Sequence, residues 1–137
     1  MSSMSVKCYL AWLVGMLSTQ IAFACVPSRN VDIYFAFDSA GISAAEFRRL
    51  ADWALEQRKN YPNQQAIYLD GYAEEVESAP RALASRRASE VERLLVQLRF
   101  NSIPMETSAA VYRTGDVSNG KRVEVSLLPA CPNDCCR

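Results

Sequence analysis

Glu74, Glu75 and Arg87 are the side chains whose types and spacing could bind a charged ligand. The two acids follow an apolar segment, and Arg87 lies within the next one. A guanidinium stays protonated, and burying its charge without a partner is costly. Arg87 therefore needs a carboxylate from this chain or from a ligand, unless its stem covers apolar surface while its head reaches water.

The residues around Arg87 have helical periodicity. At about 100° per residue, Arg87 lies in the middle of an apolar stripe, which is formed by Leu83, Val91, Leu94 and Leu98. Pro80 suits a first helical turn. The pattern predicts a helix that begins near Pro80, directs Arg87 inward and fades at Arg99.

A strand is predicted immediately before this helix, over residues 66–72, and it ends near Gly71. A short polar loop then leads to Pro80. This arrangement places Glu74 or Glu75 at the end of a strand, with an inward-facing arginine on the following helix.

Four further elements complete the predicted chain. An aromatic and β-branched alternation predicts a first strand over residues 31–37, and Ser43 and Glu46 have capping-box spacing at the start of a helix that reaches about Asn60. The stripe of that helix, predicted to face the core, contains Phe47, Leu50, Ala51, Ala54 and Leu55, with Trp53 at its edge. Two more strands are predicted over residues 105–112 and 121–128.

The order β-α-β-α-β-β predicts an α/β (α+β) fold in one domain. Two helices would pack on one face of a mixed four-stranded sheet, giving a two-layer sandwich. The sequence contains no internal repeat or low-complexity tract that would suggest another architecture.

Two segments resemble the OmpA-like family of C-terminal, peptidoglycan-binding domains. The family motif is a strand ending in Gly-His-(Thr/Ala)-Asp, followed by Leu-Ser-x-x-Arg-Ala-x-x-Val on a helix. This chain has Gly-Tyr-Ala-Glu at residues 71–74 and Leu-Ala-Ser-Arg-Arg-Ala-Ser-Glu-Val at residues 83–91. The resemblance extends over roughly residues 31–128 and implies the same fold that the element order predicts.

The resemblance also implies a ligand and a set of site residues. In the family, the Asp and the Arg hold the amine and the carboxylate of diaminopimelate in the stem peptide of the cell wall; here these roles would fall to Glu74 and Arg87. Ser39 and Arg122 resemble family positions that could line the same pocket, and Tyr72 replaces the family His. A turn residue and a surface charge are the structural alternatives for Ser39 and Arg122.

Three departures from the motif bear on that pocket. Glu74 is one methylene longer than Asp, the loop before Arg87 is two residues shorter than in the family, and the last strand opens with Gly-Lys-Arg in place of Asn-Arg-Arg. The leading expectation is a non-enzymatic, exported peptidoglycan-binding module. The alternative is a periplasmic protein-interaction or scaffold domain in which Glu74 or Glu75 neutralises Arg87 internally and silences the pocket.

Composition narrows the remaining classes of function. The 137 residues include 15 basic and 15 acidic side chains and no His. This balance disfavours a nucleic-acid partner, which requires neutralised phosphates, and the lack of His removes the commonest acid–base residue and metal ligand. Glu74 and Glu75 could be proposed as paired carboxylates of a glycosidase, but neighbours on an extended segment point to opposite faces. We expect no enzyme activity and no cofactor.

The N-terminal segment predicts export. Lys7, an apolar run and Ala-Phe-Ala at residues 22–24 are typical of a signal peptide cleaved after Ala24. The predicted divisions are a signal peptide at 1–24, an OmpA-like domain at 25–130 and a cysteine-rich tail at 131–137. We expect a periplasmic protein, or one at the periplasmic face of the outer membrane, with no transmembrane span in the mature chain. Lipidation of Cys25 is the alternative to soluble export.

Four cysteines remain after cleavage, and all of them lie at the ends of the mature chain. In an oxidising compartment they predict disulfide bonds. Adjacent cysteines bridge only with strain, so we expect Cys25 to pair with one tail cysteine and Cys131 with another, from the set Cys25, Cys131, Cys135 and Cys136. A soft-metal or redox site in the tail is the alternative.

Overall fold

A mixed four-stranded sheet with two helices on one face forms the fold in the computed structural model, which describes residues 29–132. The elements are β1 (Arg29–Tyr34), α1 (Ala44–Asn60), β2 (Gln64–Glu74), α2 (Pro80–Gln97), β3 (Met105–Tyr112) and β4 (Arg122–Pro129). The predicted order and two-layer α+β architecture are confirmed. The predicted signal peptide, Cys25, Cys135 and Cys136 lie outside the described residues, and the proposed disulfide pairing stays a prediction.

The strand order in the sheet is β1-β4-β2-β3. Strand β4 runs antiparallel to both β1 and β2, whereas β2 and β3 are parallel and are joined through α2. A parallel pair needs such a crossover because its strands start at the same edge of the sheet. This unit carries the motif residues, so the β2–α2 connection positions the candidate site.

Alternation along the strands separates a covered face of the sheet from an open one. On β4, Val123, Val125 and Leu127 are buried, while their neighbours are partly exposed. The buried positions pack with α1 and α2 in the larger of two core clusters, which contains Ile33, Leu50, Ile67, Leu69, Val91, Leu95 and Phe100. The opposite face carries the polar and aromatic side chains of the sheet.

Helix α1 begins with the predicted cap. The Ser43 hydroxyl accepts a hydrogen bond from the Glu46 N–H at 3.2 Å. The carboxylate of Glu46 does not complete the reciprocal half of a capping box. It accepts instead from the backbone N–H of Tyr34 at 3.0 Å, which ties the helix to the end of β1.

The predicted core face of α1 is partly wrong. Leu50 and Ala54 are buried as predicted, but Phe47 and Leu55 are 40% and 59% exposed. Trp53, predicted at the helix edge, is buried, and its ring stacks on Phe100 with 6.4 Å between ring centroids. The helix is rotated about its axis towards the large indole, because Phe100, which follows α2, supplies a partner that helical periodicity alone cannot reveal.

Helix α2 approaches β2 unusually closely at Gly71. A Cβ atom placed on Gly71 would lie 2.2 Å from the backbone oxygen of Ala84, and 3.1 Å from the Cβ of Ala88. Only a residue without a side chain allows the helix to lie this near the strand. The small residues at this crossing bring the first turns of α2, and hence Arg87, against the end of β2.

Candidate functional site

Arg87 points from α2 into the seam between helix and sheet and has no exposed surface. It is among the largest fully buried side chains of the described chain. Its guanidinium lies 5.2 Å from the centre of the Phe35 ring. The inward direction predicted from the apolar stripe is therefore present in the structure, and the alternative of a head reaching water is not.

Every N–H group of the Arg87 guanidinium has an acceptor. Glu77 binds it in a bidentate fork, with 2.5 Å from Nη2 to Oε1 and 2.9 Å from Nη1 to Oε2. Three backbone carbonyls take the remaining donors: those of Ser39 at 2.8 Å, Tyr72 at 3.0 Å and Ala36 at 3.1 Å. A guanidinium has five N–H donors, so this shell is complete.

Glu77 connects the loops on either side of Arg87. Its side chain is fully buried, and besides the fork it accepts from the backbone N–H groups of Asp38 and Glu74, both at 2.9 Å. Asp38 in turn accepts from the N–H and the hydroxyl of Ser78. The loop after β1 and the loop after β2 are thus held together by two acids that each cross to the opposite loop.

The pKa of Glu77 is lowered from its ordinary value near 4.5. Desolvation by burial acts in the opposite direction and would raise it, but the hydrogen bonds from Arg87 and from the two backbone N–H groups outweigh that effect. Glu77 therefore remains a carboxylate in the folded protein, and the pair with Arg87 is an ion pair.

Sequence reasoning did not identify Glu77. The internal partner expected for Arg87 was Glu74 or Glu75, and the structure shows Glu77 in that place. A signal was available: the shortened loop carries a third acid, three residues before the helix begins at Pro80. Its direction depends on the tight turn between Glu74 and Glu77, where the Glu77 N–H bonds to the Glu74 carbonyl at 3.0 Å.

Glu74 lies apart from Arg87, at the end of β2. Its Oε1 accepts from the Lys121 ammonium and from the Gly120 N–H, each at 3.1 Å. The Glu74 side chain is 13% exposed and that of Lys121 25%. The second carboxylate oxygen of Glu74 makes no hydrogen bond within the described residues. Glu74 and Lys121 thus form a partly exposed ion pair.

Tyr72 and Arg122 meet on the open face of the sheet. The Tyr72 ring stacks on Tyr112 with centroids 4.7 Å apart, and the Arg122 guanidinium lies 5.5 Å from the Tyr72 ring and 5.6 Å from the Tyr112 ring. Burial, then the charge of Glu124, raise the pKa of Tyr72 to about 12. Arg122 also forms an ion pair with Glu124, so its charge is already neutralised locally.

Ser39 contributes its backbone rather than its hydroxyl to the cluster. Its carbonyl accepts from Arg87, while its hydroxyl accepts from the N–H of Gly41 at 3.0 Å. The predicted site residues therefore divide into two groups. Arg87 meets the main chains of Ser39 and Tyr72 inside the fold, and Glu74, Arg122 and the Tyr72 ring lie towards the open face.

Residues 29–132 contain neither a cluster of metal ligands nor a membrane-spanning helix. No group of three or more His, Cys, Asp or Glu side chains is placed to hold a metal ion. Neither helix of this range is long and apolar enough to cross a membrane. The charged side chains described above form a buried ion pair, Arg87–Glu77, and a partly exposed one, Glu74–Lys121.

Known structures share this fold. The OmpA-like domain of FopA1 from Francisella tularensis subsp. tularensis SCHU S4 is 20% identical with a TM-score of 0.56, covering 75% of this chain and 76% of that one. The periplasmic domain of Helicobacter pylori MotB (residues 78–256) is 15% identical with a TM-score of 0.57, covering 77% and 78%. The peptidoglycan-associated lipoprotein from Burkholderia pseudomallei is 20% identical with a TM-score of 0.50, covering 72% and 89%.

At sequence level, no family model and no curated protein matches the chain. The structural likeness spans most of both chains in each comparison. The described part of the chain therefore has the fold of an OmpA-like domain.

Proposed function

We propose that this chain is a non-enzymatic module of the cell envelope that binds peptidoglycan. The observation that carries the proposal is the OmpA-like fold with its motif in place: a strand ending in residues 71–74 and a helix that directs Arg87 to the end of that strand. One protein of the same fold is named a peptidoglycan-associated lipoprotein. The predicted export of the chain agrees with such a location.

The finer proposal is that the module recognises the zwitterionic centre of diaminopimelate at Glu74. This carboxylate is close to the surface and has one oxygen free within the described residues, so it can accept from a ligand ammonium. Its neighbour Lys121 offers a partly exposed cation for a ligand carboxylate. The Glu74 carboxylate and the Lys121 ammonium can therefore bind the ammonium and the carboxylate of a zwitterion without rearrangement of the fold.

In this proposal Arg87 acts as a positioning residue. A ligand carboxylate could reach its guanidinium only by displacing Glu77, because all five donors are already used. Arg87 instead fixes the Tyr72 carbonyl, and through Glu77 it fixes the N–H of Glu74. The direction of the Glu74 side chain therefore depends on the buried pair.

The complete neutralisation of Arg87 also favours the second candidate, a protein-interaction module with a silenced wall pocket. That function predicts no affinity for cell wall and a partner protein recovered by cross-linking. The same experiment separates the two candidates.

Pull-down with purified diaminopimelate-containing sacculi tests the proposal. We expect wild type to be retained and Glu74→Gln to lose about tenfold in affinity, because one charge-assisted contact is removed without disturbing the core. Glu106→Gln, an exposed acid at the other end of the sheet, makes the same change in charge and should bind as wild type does. Equal retention of wild type and Glu74→Gln, or no retention of either, would overturn the site.

A further inference from the structure

A cleft lies at the opposite end of the sheet from Glu74. Its volume is about 680 Å³, and it opens beside the start of β2 and the ends of both helices. Its polar lining comes from Arg58, Asn63, Gln64, Arg99 and Ser102. None of the described lining residues is acidic, so two guanidiniums give the cleft a positive charge.

The side chain of Arg58 is ordered by contacts at the edge of this cleft. It donates through Nη1 to the backbone oxygen of Leu98 at 2.8 Å, and its guanidinium lies 5.6 Å from the centre of the Phe100 ring. These contacts use one of its five donors and fix the direction of the others. A side chain that is already ordered loses less entropy when it binds a ligand.

Gln64 supplies a donor without an acceptor. Its Nε2 atom is buried and makes no hydrogen bond within the described part of the chain. An unsatisfied buried donor is unfavourable, and most such groups have a partner. An anionic oxygen in the cleft would satisfy it.

Arg99 occupies a backbone position that favours glycine. The end of α2 is closed by hydrogen bonds from Phe100 N–H to the Leu95 carbonyl and from Arg99 N–H to the Val96 carbonyl, and Arg99 has a φ of 73°. This is a Schellman motif, in which the left-handed residue is usually Gly. The chain thus carries a guanidinium where folding alone would favour no side chain.

The helix ends do not cancel this positive charge. Near the end of α2, the carbonyls of Leu95 and Val96 are bonded by the Schellman contacts, and that of Leu98 by Arg58. The partial negative charge of a helix C-terminus is about half an elementary charge, so the two guanidiniums outweigh the two helix ends.

We propose that this cleft binds an oxyanion, a carboxylate or phosphate group, between Arg58, Arg99 and the amide of Gln64. Guanidiniums match the planar or tetrahedral oxygens of both groups with paired hydrogen bonds. The site is independent of the peptidoglycan proposal, because it uses other residues at the other end of the sheet.

Titration of the full chain with inorganic phosphate, followed by NMR at constant ionic strength, tests this site. We expect the NMR signals of the Gln64 side-chain amide to shift on binding. Arg99→Gly should raise the dissociation constant for phosphate about tenfold. Because glycine suits the backbone at this position, Arg99→Gly should melt at the same temperature as wild type or higher, which separates binding from folding. Lys59→Gln, an exposed cation next to Arg58, removes the same charge and should bind as wild type does.

A second arm of the experiment identifies the source of the oxyanion. Asp134 follows Cys131 in the sequence, and its carboxylate is an alternative to an external anion. Phosphate affinity unchanged in Asp134→Asn indicates an external anion, whereas a severalfold gain indicates that the chain's own carboxylate competes for the site. The site is disproved if neither wild type nor Asp134→Asn shows the Gln64 shift, or if Arg99→Gly and Lys59→Gln bind alike.

Discussion

The Arg87–Glu77 pair shows how a completed shell makes a buried charge tolerable. Removing two charges from water is expensive, and their attraction compensates only when the remaining donors and acceptors are satisfied. Here three carbonyls and two backbone N–H groups complete the shell, so the pair joins α2 to the loops after β1 and β2. The same completeness makes the loss of one partner severe.

Glu77→Gln should lower the free energy of unfolding by about 3–5 kcal/mol, since it leaves the buried Arg87 charge without its counter-ion. Urea denaturation measures this. Glu75→Gln is the matched control, because Glu75 is exposed and its side chain makes no hydrogen bond in the described chain. We expect that variant to stay within about 0.5 kcal/mol of wild type. Similar stability of the two variants would contradict the structural role of the pair.

At the scale of elements, the site depends on the close crossing of α2 over β2. Gly71 on the strand and Ala84 and Ala88 on the helix remove the side-chain volume that would hold the two apart. Arg87, one residue before Ala88, therefore reaches the Tyr72 carbonyl near the end of β2. A wider crossing would withdraw the guanidinium from Tyr72 and Glu77.

Gly71→Ala should destabilise the protein by about 3 kcal/mol, at the upper end of the range for overpacking, because the added methyl would meet a helix backbone that cannot yield locally. The clash is with the oxygen of Ala84 at 2.2 Å. Thermal unfolding measures the loss. Gly41→Ala is the control, since its nearest neighbour is a side-chain hydroxyl at 3.3 Å. If both substitutions proved harmless, the helix would not lie as close to the strand as described.

At the scale of the whole molecule, the absence of His leaves no side chain with an ordinary pKa near neutrality other than the cysteines. Glu77 and Tyr72, whose pKa values are shifted, titrate at the acidic and the alkaline end of the pH range respectively. The lowered pKa of Glu77 means that the folded state binds its proton less readily than the unfolded state. The raised pKa of Tyr72 means that the folded state binds the phenol proton more readily than the unfolded state.

Stability should therefore be flat from about pH 5 to about pH 9 and decline on both sides of this range. The contribution of Glu77 is complete above its ordinary pKa near 4.5 and is lost as the pH falls below that value. The contribution of Tyr72 is complete below pH 10 and is lost as the pH rises towards 12. Urea midpoints across this range measure the profile. In Glu77→Gln the acid decline should become shallower, and an unchanged acid limb would argue against the assignment.

Much of the fold followed from local patterns in the sequence. Apolar periods of two and of about 3.6 residues determined the order of the six elements, since burying one face of each leaves few architectures. The same periodicity determined that Arg87 faces inward, because a helical stripe fixes direction without knowledge of neighbours. The motif of residues 71–74 and 83–91 indicated the family whose fold the chain shares.

The tertiary structure decided which groups meet. The choice of Glu77 over Glu74 or Glu75 as the partner of Arg87 depends on a tight turn from Glu74 to Glu77 and on a contact with the Asp38 N–H, which lies far away in the sequence. The burial of Trp53 depends on Phe100, which follows the other helix. The cleft that contains Arg58, Gln64 and Arg99 depends on the ends of three elements lying together. Such contacts are long-range, and no periodicity within a segment encodes them.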